Sequence, residues 1–115
     1  MLDINEIKKI TINDIHGYNC YNDCHEVDGL KWVSLIFPMT EQMKNHFELL
    51  HDLELWGGID EYDWVSPLYK VDEDRITYEI EGNNGFYIVD EDLKCDYLDN
   101  LVKAKSKELY PKYFD

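Results

Sequence analysis

The residue types best suited to hold a metal ion lie together near the start of the chain. His16, Cys20, Cys24 and His25 are four zinc-ligand types in one short stretch, and tetrahedral zinc needs four ligands. Their spacing differs from the paired chelating turns of common zinc sites, because Cys24 and His25 are adjacent. A small metal-binding or metal-dependent enzyme domain built on this stretch is therefore an alternative function. The leading interpretation has no metal and no cofactor.

Other chemical motifs are incomplete. The triplet His46-Phe47-Glu48 begins like the zinc deaminase signature, but the Pro-Cys-x-x-Cys that must follow is missing. The acidic stretches lack the glycine and glutamate positions of an EF-hand calcium loop. The sequence also has no glycine-rich phosphate loop and no Gly-x-Ser-x-Gly elbow. We therefore predict no catalytic residue and a protein that is not an enzyme.

The charge of the chain is its most informative property. The 115 residues hold 25 Asp and Glu against 11 Lys and Arg, a formal net charge of −14. Residues 48–99 carry 16 of these carboxylates and only three bases, so the excess is segregated along the chain. Binding to phosphate backbones or anionic membranes requires clustered Lys and Arg. The sequence therefore predicts neither direct nucleic-acid binding nor membrane binding.

Aromatic residues are interleaved with the carboxylates of this segment. Trp and Tyr are frequent anchors of protein interfaces, and a surface that combines them with carboxylates suits a partner rich in Lys and Arg. The same rings also fill cores, and the same charges also keep a protein soluble. We predict partner contacts from ten residues: Asp60, Glu61, Tyr62, Asp63, Trp64, Asp72, Glu73, Asp74, Glu79 and Glu81.

In size and charge the chain resembles phage anti-restriction and anti-CRISPR inhibitors, and immunity proteins that block nuclease toxins. The resemblance implies a small acidic binding protein that inhibits a basic partner, namely a nuclease or another nucleic-acid-binding protein. Its carboxylates are expected to occupy the groove that holds phosphates, because a dense ordered array imitates the charge spacing of duplex DNA. Active-site plugging without mimicry stays open.

A third interpretation is an adaptor subunit whose acidic surface only confers solubility. An inhibitor requires a contiguous negative face and salt-sensitive binding. A metal domain requires the four ligands of the first stretch to converge, and an adaptor requires an apolar patch as its interface. For the inhibitor, replacing residues 72–74 by their amides is expected to slow association more than it alters folding.

Cellular location follows from what the sequence lacks. Three cysteines cannot all pair, which indicates free thiols in a reducing compartment. No apolar run approaches the ~20 residues that span a bilayer, and no basic-then-apolar leader opens the chain. The expected location is cytoplasmic.

These residues must be positioned by one domain over residues 1–115. The pattern predicts an α+β fold, a small antiparallel sheet of three to five strands with two main helices packed on one face. Residues 30–37 are a nearly continuous apolar run, typical of a strand covered on both faces. Residues 75–81 alternate apolar and polar, and an Asn/Gly turn at 82–85 predicts a hairpin with the following strand, residues 86–89.

The sequence also carries start and stop signals for two helices. Thr40 is a natural N-cap for a helix over residues 40–56, which Gly57 and Gly58 end. Asp90 is the expected cap of the last helix, where acids come first and lysines last. Elsewhere we expect a strand near residues 8–13, a loop over 16–29, and a loop over 59–67 in which Pro67 excludes a central strand.

Overall fold

The computed structural model of the protein describes residues 2–17, 24–27, 30–51, 64–82 and 85–114. In chain order the elements are α1 (Ile4–Ile7), β1 (His16–Gly17), β2 (Cys24–Val27), β3 (Leu30–Pro38), α2 (Glu41–His51), β4 (Trp64–Lys70), β5 (Arg75–Gly82), β6 (Gly85–Ile88), α3 (Asp90–Leu93) and α4 (Asp96–Leu109). Short 3₁₀ turns lie at Ile12–Asp14, Val71–Glu73 and Pro111–Tyr113.

The strands of these ranges form one antiparallel sheet in the order β1–β3–β4–β5–β6. The short strand β2 also pairs with β3, opposite its first residues, whereas β1 lies opposite Leu35 and Ile36 near its end. Both short strands therefore share one edge of β3, and β4 occupies the other. The predicted α+β fold, with a small antiparallel sheet and two main helices, is confirmed.

Alternate side chains of the three central strands fill the core. They share one face of the sheet and are all buried: Val33, Leu35, Phe37, Val65, Pro67, Tyr69, Ile76, Tyr78 and Ile80. Met43 and Phe47 of α2, and Leu98 and Val102 of α4, belong to the same fully buried cluster. Each such side chain contributes about 1.5–3 kcal/mol of hydrophobic stabilisation, so this face holds the two main helices in place.

The start of α2 is where the sequence places it. The Thr40 Oγ1 accepts a hydrogen bond from the Met43 backbone N–H at 3.2 Å, and Glu41 occupies the first turn. The hydroxyl thus satisfies one of the free N–H groups at the helix end. Residues 52–56 of the predicted helix lie outside the described residues.

Pro67 lies inside the central strand β4, where the sequence predicts a loop. It stands opposite Tyr78 in the pairing with β5. The pairing with β3 runs on both sides of Pro67 but skips it, because β-bridges join residues 32–34 to 68–70 and 37–38 to 64–65. A proline has no N–H to donate, so β4 loses one backbone hydrogen bond at this position. The pairs on either side of Pro67 keep the strand in register.

Local hydrogen bonds overturn the predicted strand near residues 8–13. The Asp14 carboxylate accepts the Thr11 backbone N–H at 2.8 Å and the Thr11 hydroxyl at 3.1 Å. These bonds close a 3₁₀ turn over Ile12–Asp14, since a Thr or Asp side chain offers the backbone an alternative to a strand ladder. The predicted loop over 16–29 is also wrong in part, because β1 and β2 pair with β3 there.

The last helical segment is divided in two. α3 ends at Leu93, and α4 begins at Asp96 after an extended Cys95. Asp90, the predicted cap, instead accepts a hydrogen bond from the Tyr78 backbone N–H. The break turns the chain so that Leu93 and Leu98 are both fully buried.

Replacement of Thr40 by alanine is expected to lower the free energy of unfolding by about 1 kcal/mol, the usual cost of losing an N-cap hydroxyl. Urea denaturation followed by circular dichroism measures this change. Thr40→Ser retains the hydroxyl and is the matched control. An equal loss in both variants would show that the methyl group, not the cap, matters.

Candidate functional site

The structure separates the predicted partner-binding residues along the β4–β5 pair. Residues 72–74 lie in the connection between the two strands, whereas Trp64 begins β4 and Glu81 is near the end of β5. The two ends are separated by the length of the strands, about 20 Å. Residues 60–63 lie outside the described residues. The described candidates therefore do not form one cluster.

Asp74 at the first end is exposed but bonded to two other elements of the fold. One carboxylate oxygen lies 3.0 Å from the Lys103 Nζ of α4, and the carboxylate accepts a hydrogen bond from the Tyr69 hydroxyl at 2.9 Å. The bonds from Lys103 and Tyr69 hold the pKa of Asp74 below its ordinary value. Burial, then the bond to Asp74, raises the pKa of Tyr69 to about 12. Asp74 thus joins β4 and α4.

The other two carboxylates of this connection also have partners. Asp72 accepts a hydrogen bond from the Lys31 backbone N–H at 3.0 Å, which ties the connection to the start of β3. Glu73 lies 3.4 Å from Arg75, and both side chains are largely exposed. Two of the three negative charges are therefore offset by nearby bases. The connection thus helps to hold β3, β4 and α4 together, while its three acidic residues are exposed, and their role as partner contacts stays a prediction.

The sheet face away from the helices carries a different set of side chains, which we call the outer face. Its members alternate with the core residues along β3–β6: Trp32, Ser34, Ile36, Ser66, Leu68, Lys70, Thr77, Glu79 and Ile88. Most are half-buried, but Ile88 is 64% exposed. The Lys70 ammonium lies over the Trp32 ring, 4.3 Å from its centroid, a cation–π contact that offsets this charge within the face.

Glu79 lies on this face in one row with Ile36, Ser66 and Ile88. Ser66 stands directly opposite Glu79 in β4, Ile88 directly opposite it in β6, and the β3 register places Ile36 beside Ser66. Burial of Glu79, and then the charge of Asp90, raise the pKa of Glu79 above its ordinary value of 4.5. Within the described part of the chain, no hydrogen bond or ion pair stabilises its ionised form.

The Ser66 hydroxyl adds a second unsatisfied group to this row. Its Oγ is buried and has no hydrogen-bond partner among the described residues. An unsatisfied buried polar group costs about 1–3 kcal/mol. The row therefore places an unpaired carboxylate beside an unused hydroxyl, between two isoleucines. Glu79 was predicted as a contact residue from the sequence, but Ser66 gives no signal there because only the strand register brings it next to Glu79.

Two further titratable contacts were not predicted. The His46 Nε2 of α2 lies 3.0 Å from the Asp92 Oδ1 of α3, and the Tyr78 hydroxyl donates to Asp99 at 2.7 Å. Tyr78 is fully buried, and burial followed by the bond to Asp99 raises its pKa. These contacts join helices to each other and to the sheet, so their role is structural. They link residues far apart in sequence, which no local pattern reveals.

The proposed metal stretch is spread along one strand edge. His16 lies opposite Ile36, and His25 lies opposite Trp32, so the two backbones are about 13 Å apart along β3. Cys20 lies outside the described residues. Elsewhere in the described ranges, no three His, Cys, Asp or Glu side chains are grouped to hold a metal ion. The metal-binding alternative stays a prediction without a supporting observation.

No helix of the described segments has the length and apolar character needed to cross a bilayer. The cytoplasmic location and the absence of an enzymatic activity stay predictions.

Replacement of Asp74 by asparagine is expected to lower the melting temperature at pH 7, because the ion pair with Lys103 is lost. Asp74 has a positive φ of 47°, which asparagine tolerates as well as aspartate does, so the change isolates the charge. Because the folded pKa of Asp74 is lowered, its charge stabilises the fold at pH values above the unfolded pKa of 3.8. This stabilisation is lost as the pH falls through the lowered folded pKa. Thermal melts across this range should show the two proteins converging below pH 3.8.

Replacement of Glu79 by glutamine is expected to have the opposite effect. A carboxyl group whose folded pKa is raised favours the fold when protonated, and this advantage is lost as the pH rises through the raised pKa. Glu79→Gln should therefore raise the melting temperature at pH 7, with the difference vanishing below pH 4.5. A lower melting temperature at pH 7 would mean that the carboxylate has a stabilising partner.

The chain matches no family model, and comparisons with curated proteins and with solved structures found no match.

Proposed function

We propose that this protein is a small acidic binding protein that inhibits a basic partner, a nuclease or another protein that acts on nucleic acid. The proposal rests on how the charge is divided between the residues with described side chains and the rest of the sequence. It assigns no catalytic step to the chain, and it requires no cofactor.

The part of the fold with described side chains is nearly balanced in charge. It holds 14 carboxylates and all 11 Lys and Arg residues. Several of these acids have structural partners, such as Lys103 for Asp74 and the Tyr78 hydroxyl for Asp99. The other 11 carboxylates of the chain belong to stretches without a single Lys or Arg. Most of the excess negative charge of the chain therefore lies in these base-free stretches.

One observation carries the proposal. Between Phe47 and Val65, which are both fully buried in the core, the sequence has six carboxylates and no Lys or Arg. Both ends of this acidic stretch thus adjoin residues that are buried in the core. Like charges repel each other and reduce stability, but they raise the association rate with a basic surface. Such an arrangement is useful to a protein that must find a phosphate-binding groove quickly.

The target class follows from charge complementarity. A groove that binds phosphates is lined by Lys and Arg, and a carboxylate array that enters it forms ion pairs with the same basic side chains. The inhibitor and the nucleic acid therefore compete, and both bind less tightly as salt rises.

The first test is affinity capture of the tagged protein from its native lysate at low salt, with elution by a salt gradient. We expect a basic nucleic-acid-binding protein that salt releases. Its binding to labelled duplex DNA or RNA should be lost when the acidic protein is added in equimolar amount. Capture of no basic protein, or capture that leaves nucleic-acid binding intact, would overturn the proposal.

Charge variants then locate the contact. Asp60→Asn with Glu61→Gln is expected to reduce the association rate for the captured partner about fivefold at low salt. Asp96→Asn with Glu108→Gln removes the same charge from exposed positions of α4 and should change the rate less than about twofold. Stopped-flow measurements at two salt concentrations distinguish them. Equal effects would mean that only net charge matters and that residues 60–61 are not at the contact.

A further inference from the structure

We infer that the free edge of β6 receives an extended, Lys- or Arg-bearing segment of the basic partner, which adds a strand to the sheet. This inference rests on the proposed function and deepens it, because it names the backbone surface that the partner contacts. The strand β6 is the last in the order of the sheet, and among the described residues no strand pairs with its side away from β5.

The register of the β5–β6 pair shows which backbone groups face that free edge. Next to the pair that contains Ile88, the Val89 N–H donates to the Tyr78 carbonyl at 2.8 Å. Antiparallel pairs alternate between hydrogen-bonded and non-hydrogen-bonded positions, so Ile88 and Phe86 occupy non-hydrogen-bonded positions against β5. The backbone N–H and C=O groups of both residues are therefore directed toward the free edge, where an added strand can pair with them.

The exposure of Ile88 shows that this edge is open to solvent at its end. Ile88 is 64% exposed, more than any other large apolar residue among those described. Natural edge strands are protected from strand addition by short length, by Lys or other charged residues, or by Pro. The strand Gly85–Ile88 is short, but it contains no charged residue and no proline. Apart from its length, it is suited to pairing with an extended segment, as in other complexes formed by strand addition.

The charges around this edge select a basic segment. Glu79 stands directly opposite Ile88 on the β5 side, and Asp90 and Glu91 begin α3 shortly after β6. No Lys or Arg occurs in β6 or α3. An added strand places its side chain beside Ile88 at about 10 Å from Glu79, which is two strand spacings. A Lys or Arg at that position can lay its aliphatic stem over Ile88 and direct its charge toward the carboxylates.

A second copy of the chain is a poorer occupant of the same edge. Two copies each carry a net charge of −14, so they repel each other at low salt. A pair of four-residue strands is also a small contact beside the ~1,200 Å² that specific interfaces bury. A basic partner is attracted to the acidic stretches of the chain as well, so for that partner the edge is one part of a larger contact.

The test uses a synthetic peptide of alternating Lys and Val as the probe, and amide hydrogen exchange followed by NMR at low salt as the measurement. At a peptide concentration that occupies about 90% of the protein, exchange of the Phe86 and Ile88 amides should slow about tenfold, because only the free form exchanges. The Tyr87 amide, which faces β5, should change less than about twofold. The same peptide with N-methylated backbone amides is the matched control, since it keeps the charge but has no N–H to donate.

A pair of variants tests the apolar contact at the edge. Ile88→Ala is expected to weaken binding of the Lys/Val peptide about threefold, because the stem of the basic side chain loses apolar surface. Ile4→Ala makes the same change at an exposed position of α1 and should change the affinity less than about twofold. Isothermal titration calorimetry measures both. Equal effects of the two variants would contradict a contact at Ile88.

The outcomes separate the edge from the proposed function. Equal slowing by the two peptides, or no slowing at Phe86 and Ile88, overturns strand addition. A dimer in sedimentation whose Phe86 and Ile88 amides are already protected overturns it too, because a second copy then occupies the edge. In each case the proposed function still stands if the lysate yields a basic partner that salt releases. If no such partner is captured, the proposed function fails, and the edge is not its site even if it accepts the peptide.

Discussion

Tyr78 joins more elements of this fold than its position in a single strand suggests. Its ring is fully buried and meets Phe37 of β3 edge-on, with the centroids 6.3 Å apart. Its hydroxyl donates to Asp99 of α4, and its backbone N–H donates to Asp90 at the start of α3. Burying a tyrosine this deeply is favourable only if its hydroxyl finds an acceptor. The bond to Asp99 meets that requirement and fixes α4 against the sheet, while the backbone bond to Asp90 holds the start of α3.

The alternation of side chains along β5 places neighbours of Tyr78 on the opposite face of the sheet. Because Tyr78 points into the core, Glu79 must point to the outer face. Asp90, which completes the hydrogen bonding of the Tyr78 backbone, brings its negative charge close to Glu79. The place of Glu79 on the outer face is therefore a consequence of how the core is closed.

Acidic residues serve two purposes in this chain. Those of the β4–β5 connection and of the α3–α4 region accept hydrogen bonds from Tyr69, Tyr78, His46 and the backbone. These bonds explain why residues 72–74, an obvious acidic run in the sequence, hold elements together. The other 11 carboxylates lie in stretches without Lys or Arg. Under the proposed function, this excess serves to attract a basic partner through charge complementarity.

Much of the fold follows from the sequence alone, because local signals there agree with the tertiary structure. The apolar run of β3, the alternation of β5 and the cap at Thr40 are strong enough to predict the α+β class and the start of α2. The alternation also predicts that Glu79 lies on the face away from the core, as the structure has it; its role as a partner contact stays a prediction. The acidic charge and its segregation are properties of the sequence and need no structure.

Tertiary structure decided the rest through contacts between distant residues. Pro67 enters a central strand because pairing with β5, and with β3 on either side, outweighs one lost hydrogen bond. The last helix breaks before Asp96 because core packing must bury both Leu93 and Leu98. The partners of Asp74 and the register that sets Ser66 beside Glu79 also span separate elements. No local pattern encodes such pairings, since they depend on the free energy of packing the whole sheet.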